Sequence, residues 1–169
     1  MKIYIYLFLF VLVINKANAQ LIIATDNNNV QTTESTLIQF EDGYTKGIIL
    51  PANTQVTTNP TNGSFTFDKS DRKVKMYEND QWVSLTPTGD SGAIITTNSN
   101  DNGEGVIVGA ETSTAEGVLV LESDDRALVL PRIDNPVVNV NSPYPGMIAY
   151  DTTSKTIAIF DGKLWSFWK

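Results

Sequence analysis

The sequence predicts an all-β fold made of two tandem copies of a small β-meander module, with little or no helix beyond the first residues. Two observations carry that expectation. Short apolar runs are bounded by Gly, Asn, Asp and Pro, while the 3.6-residue period of an amphipathic helix is nearly absent. The chain also repeats itself. Gly47-Ile48-Ile49-Leu50-Pro51 returns as Ala127-Leu128-Val129-Leu130-Pro131, and Gly63 to Leu85 returns without a gap as Gly146 to Trp168. Aligned pairs include Gly63/Gly146, Phe67/Tyr150, Asp68/Asp151, Arg72/Lys155, Val74/Ile157, Tyr77/Phe160 and Trp82/Trp165. Such a repeat sets the architecture before any other feature does. The expected division is a signal peptide at 1–19, β module one at 20–88, a linker or loop at 89–104 and β module two at 105–169.

The first segment has the three-part grammar of an export signal. Lys2 gives a positive start, Ile3 to Ile14 is an unbroken apolar run, and Ala17-Asn18-Ala19 is a small-x-small cleavage site. The run is well short of the roughly 20 residues that a membrane-spanning helix needs. Each copy then opens with a short apolar strand, Leu21-Ile22-Ile23 or Val106-Ile107-Val108. A second follows around Leu37 to Phe40 or Val118 to Leu121, and a third ends in Pro51 or Pro131. An irregular stretch leads to Pro60-Thr61-Asn62-Gly63 or Pro143-Tyr144-Pro145-Gly146. Pro-Gly suits a type II turn, since Pro presets φ at the first central position and Gly accepts a positive φ at the second.

The C-terminal part of each copy reads as a three-stranded meander. Phe65 and Phe67 match Ile148 and Tyr150 on one face, and the next strand adds Val74 and Met76, or Ile157 and Ile159. Polar turns at 68–71 and 151–154 join these strands, and Glu78-Asn79-Asp80 or Asp161-Gly162-Lys163 leads to a last strand with Trp82 or Trp165. Asp-Gly is among the best hairpin signals. The opposite face differs between copies. Copy one presents Ser64, Thr66, Lys73 and Lys75, a solvated surface, whereas copy two presents Met147, Ala149, Thr156 and Ala158, with Trp168 assigned to the same side. Apolar residues on both faces imply that a sheet is covered on both sides.

Composition removes several classes of function. The net charge of −7 repels nucleic acid and anionic lipid, so neither is an expected partner. There is no Cys and no His, which excludes a disulfide scaffold, a Ser-His-Asp triad, a thiol nucleophile and a conventional zinc site. A two-carboxylate glycosidase remains open in principle. However, the aligned acids Asp68/Asp151 and Glu78/Asp161 fall at turns, where such side chains serve the backbone. Asn98-Ser99-Asn100-Asp101-Asn102-Gly103 has the spacing of a calcium-loop opening, but Gly109 stands where the bidentate Glu belongs and the alternate ligands are neutral Asn. A flexible loop explains it better, and no cofactor or metal is expected. An outer-membrane barrel needs strands of about 9–11 alternating residues, and the runs here are mostly half that length. No membrane span is expected.

Trp82 and Trp165 have two readings: rings that stack on sugars, or large apolar caps on the core of each copy. Their presence in both copies favours the core, because structure must be kept twice and a site only once. Arg132, replaced by Ala52 in copy one, is placed to pair with Asp134 or with a neighbouring subunit. Asn62-Gly63-Ser64 is a glycosylation sequon, silent behind a bacterial export signal.

At Val106 to Gly109, Leu130-Pro131-Arg132, Pro143, Gly146-Met147, Tyr150-Asp151-Thr152-Thr153, Lys155, Asp161-Gly162 and Trp165 the chain resembles a family of exported β modules of Bacteroidota and, more loosely, phage tail-fibre modules. Copy one matches through Lys46-Gly47, Leu50-Pro51, Gly63, Phe67-Asp68, Tyr77 and Trp82, and departs at Ala52 and Asn79. The resemblance implies a cell-surface or appendage-associated β module, trimeric in the fibre relatives. It also implies O-glycosylation at Thr152, within Asp151-Thr152-Thr153.

The function expected is non-enzymatic: an exported structural and interaction module at the bacterial cell envelope, in the periplasm, on the outer-membrane surface or outside the cell. It would serve as a fibre or adhesin part, or as an accessory subunit of a surface complex. The alternative is a glycan-binding, lectin-like module. The expected partner is a protein of the envelope or further copies of the chain, and the expected contact residues are Met147, Ala149, Ala158 and Trp168.

Overall fold

The computed structural model describes residues 20–26, 30, 33, 35–95 and 105–169. The export signal expected at 1–19 and the calcium-like loop at 98–103 lie outside them. The described chain is all-β, and its one helix is a single turn, α1 (Pro136–Asn139). Among the described residues no helix is long and apolar enough to cross a membrane.

Each half of the described chain carries an antiparallel meander. In the first half, β4 (Ala52–Asn53), β5 (Phe65–Asp68), β6 (Lys73–Glu78) and β7 (Gln81–Ser84) make a sheet in that order. In the second half β11 (Arg132–Ile133), β12 (Met147–Asp151), β13 (Thr156–Phe160) and β14 (Trp165–Trp168) follow the same order. Registers agree as well. Ala52 lies beside Phe67 in a parallel pair, as Arg132 lies beside Tyr150, and Phe67 opposes Val74 as Tyr150 opposes Ile157. The turn before each meander closes identically: Ser64 N–H donates to Thr61 O at 3.0 Å and Met147 N–H to Tyr144 O at 2.9 Å. Its third residue is Gly63 or Gly146, with φ of 93° and 85°, a conformation open to glycine at no steric cost.

The N-terminal strands also repeat. β1 (Leu21–Ile23) pairs in parallel with β2 (Thr36–Phe40), and β8 (Val106–Val108) pairs in parallel with β9 (Leu119–Leu121).

The halves are interlocked. β3 (Ile48–Ile49), from the first half, adds antiparallel to β12 of the second, and Leu50 N–H donates to Gly146 O at 3.0 Å. β10 (Ala127–Leu128), its repeat partner, returns to pair in parallel with β2 of the first half. The stretch expected as a linker is docked at its start: Gly89 N–H donates to Arg72 O at 2.8 Å and Asp90 N–H to Asp161 O at 2.9 Å. Two clusters make the core. One joins Phe67, Val74 and Leu85 of the first half to Ile148 and Ile159 of the second, with Leu50 crossing between them. The other, within the second half, gathers Ile133, Val140, Met147 and Ala149, with Tyr144, Phe160 and Trp165 packed against it.

Candidate functional site

Three of the aligned acids, Asp68, Asp151 and Asp161, are held by turns. Asp68 Oδ1 accepts from Ser70 N–H at 2.9 Å and from Ser70 Oγ at 2.5 Å, while Oδ2 meets Lys75 Nζ at 2.6 Å. Burial pushes the Asp68 carboxyl up, and the bonds from Lys75 and Ser70 outweigh it, so the group sits below its ordinary value. Burial likewise raises Asp151, and bonds from Ser154, Thr153 and Asn135 bring it below the ordinary value. Burial lowers Lys75, and its bonds to Asp68 and Asp71 more than reverse that. Asp161 Oδ1 accepts from the N–H groups of Lys163 and Leu164, at 2.8 and 2.7 Å. These oxygens are committed to local backbone and to Lys75, in the manner turn chemistry requires.

Two concavities lie on the described surface. One, of about 290 Å³, is lined by Ile49, Leu50, Ala52, Lys69, Ile94, Ile95 and Tyr144. The other, of about 200 Å³, is lined by Ile23, Ala24, Phe40, Tyr44, Lys46 and Gly47. Among the described residues no carboxylate lines either one. Among the described residues no cluster of three or more acidic side chains is placed to hold a metal.

The tryptophans are not equivalent. Trp165 is half-buried, lies 5.2 Å from the Phe160 ring and packs on the second core cluster. Trp82, also half-buried, meets Tyr77 edge-on at 5.3 Å, and its register with Lys75 and Ser84 puts it on the polar face of the first meander. Arg132 lies 3.8 Å from Asp42 of the first half, in place of the expected Asp134. Asp134 instead accepts a hydrogen bond from the Thr153 hydroxyl. Thr152 sits at the hairpin turn and is half-buried, with its N–H donating to Ile133 O at 3.0 Å; the neighbouring Thr153 is the exposed one.

The expected contact face needs correction. Met147, Ala149 and Ala158 are buried inside the chain. The segment carrying Ile133, Val140 and Tyr144 roofs the face they occupy, so what covers them is the protein itself. Trp168 lies on the side opposite to the expected one. It opposes Ile157, while Phe167 opposes Ala158, so Trp168 shares the face of Ile157 and Tyr150. Its ring is exposed, and its indole N–H donates to Leu85 O at 2.6 Å.

The surface that stands out instead is the row Tyr150–Ile157–Trp168, in register across β12, β13 and β14. Its repeat counterpart is Phe67, Val74 and Leu85, all buried in the first core cluster. Val74 is fully buried, and Ile157 is 41% exposed. Alternation marks Phe67 and Val74, and equally Tyr150 and Ile157, as inward. Only the docking of the halves distinguishes them.

Comparison with protein-family models, curated proteins and solved structures returns no match.

Proposed function

We propose that the chain is an exported, non-enzymatic structural and interaction module of the bacterial cell envelope. It works by protein contact, as a fibre or adhesin part or as an accessory subunit of a surface complex. The observation that carries this reading is the apolar row Tyr150–Ile157–Trp168, left at the surface while its repeat counterpart is core. Contiguous apolar surface of this kind is seldom left in water and marks an interaction site. The export signal and the resemblance to exported Bacteroidota modules support the location.

A glycan-binding role has one observation in its favour, the half-buried Trp82 beside Tyr77 on a polar face. Fractionating native cells and sizing the chain in the undenatured envelope extract separates the two readings. Protein contact requires the chain to run in an envelope assembly larger than itself. A chain that runs free, binds a polysaccharide on a glycan array and loses that binding in Trp82→Ala belongs to the glycan reading.

A further inference from the structure

The halves of this chain dock head to tail, so each leaves one side of the docking unused. In the internal junction, Ile48–Ile49 of the first half fill the edge of β12 beside Met147 and Ile148. The row Phe67, Val74 and Leu85 packs on Ile148 and Ile159. In return, Leu128 of the second half lies beside Ile38 on β2.

Each of these acceptors has a vacant counterpart. The edge of β5 at Ser64–Phe65 matches the filled edge of β12, and no strand lies on it among the described residues. Phe65 is 38% exposed where Ile148 is 7%. Space shows the same asymmetry. A Cβ at Gly146 would lie 3.3 Å from Phe67 Cβ, whereas one at Gly63 would meet nothing within 4 Å. The outer edge of β9 is likewise unpaired among the described residues, and Leu119 is 51% exposed where Ile38 is 2%.

We infer that these vacancies are filled by a second copy of this chain, repeating the internal junction between the second half of one molecule and the first half of the next. The inference rests on the protein-contact reading above and names its partner. The required occupants are all present and all apolar. Leu128-Val129-Leu130 would take the place of Ile48-Ile49-Leu50 along the Phe65 edge of the next chain, with Leu130 N–H donating to Gly63 O as Leu50 N–H donates to Gly146 O. Tyr150, Ile157 and Trp168 would cover Phe65 and Met76, as Phe67, Val74 and Leu85 cover Ile148 and Ile159. Ile48 of the next chain would lie beside Leu119, as Leu128 lies beside Ile38. Such an interface is heterologous, so it closes into a ring or extends as a filament. Pairing through backbone edges also removes two exposed strand edges, which are otherwise a liability.

The test uses the full chain purified from an exporting host, with Phe65→Asp blocking one end and Ile157→Asp the other. Both positions are exposed, so each variant should keep the parent's circular dichroism, and its melting temperature at a dilution where the parent runs as a monomer. Should either fail that check, Phe65→Ser and Ile157→Thr make the same test. By sedimentation velocity the parent should assemble and each variant alone should run as a monomer. Their equimolar mixture should recover a dimer and stop there, because one good end of each remains. A parent that stays monomeric at its highest soluble concentration overturns the inference. Variants that assemble like the parent, or a mixture that stays monomeric, overturn it too. The envelope-contact reading is decided separately, by the sizing of the native extract.

Discussion

In the first half, the face carrying Lys73, Lys75 and Trp82 is left as a polar surface. In the second half the matching face, carrying Ala149, Thr156 and Ala158, is roofed by the segment from Ile133 to Tyr144. The connection from Pro131 to Gly146 is longer than that from Pro51 to Gly63, and the added chain holds α1 and Val140. Lengthening a surface loop costs little entropy, so a repeat can gain a roof cheaply if small apolar residues replace the lysines beneath it. Ala158 stands at the position of Lys75, Ala149 at that of Thr66 and Met147 at that of Ser64 in the same alignment. The other faces are unequal for a different reason: the first half uses Phe67 and Val74 inside the chain, and the second half holds Tyr150 and Ile157 in reserve. Divergent sequence made the first asymmetry. Head-to-tail docking made the second.

The sharpest way to break this comparison is to charge the roofed face. Ala149→Asp should destabilise the fold by about 3–5 kcal/mol or prevent folding, since it buries an unpaired carboxylate. Urea denaturation measures it, and a variant as stable as its parent would mean that the roof is not closed. The inner rows come next. Phe67→Ala should cost about 3–5 kcal/mol, as expected for a buried aromatic. Tyr150→Ala should cost less than half as much in the monomeric Phe65→Asp background, where its row has no partner. Equal losses would show that both rows are core.

The tryptophans give a smaller contrast. Trp165→Ala should lower stability by about 2–3 kcal/mol and Trp82→Ala by about 1–2, because only the former abuts a buried cluster and neither ring is fully buried. Thermal melts under matched conditions rank them.

The ionisable turns sharpen the comparison through pH. Asp68 and Asp151 both titrate below 3.8 when folded, so each stabilises the fold above that pH, and the contribution is lost as pH falls through the folded values. Lys75 titrates above 10.5, so its contribution is complete below 10.5 and is lost as pH rises through the folded value. The second half has no counterpart of Lys75, because Ala158 stands at the matching position. Lys75→Ala should therefore flatten the stability profile above pH 10.5, and Asp151→Asn should flatten only the acid side. The smallest effect belongs to Arg132→Ala. Its ion pair with Asp42 is exposed at 3.8 Å. Its loss should change stability by no more than about 0.5 kcal/mol.

The amino-acid sequence alone determined the meanders, because local rules make them. Alternation set which residues share a face, Pro145-Gly146 and Asn62-Gly63 set the entry turns, and the acids Asp68 and Asp151 set the first hairpins. It also determined that Ala149 and Ala158 need a cover. What covers them depended on the tertiary structure, since a short stretch such as Pro136 to Tyr144 carries no periodicity that says where it will lie. One register step matters too: the expected face of Trp168 is that of Ala158, but it lies beside Ile157 in the sheet, because strands of period two exchange faces with a shift of one residue. The exchange of β3 and β10 between the halves left no mark in either strand, as Ile48-Ile49 and Leu128-Val129 are equally suited to any apolar edge. Only the packed chain decides which edge each one takes. Burial is a property of neighbours, and the same inward pattern therefore became core at Phe67 and Val74 but left Ile157 exposed.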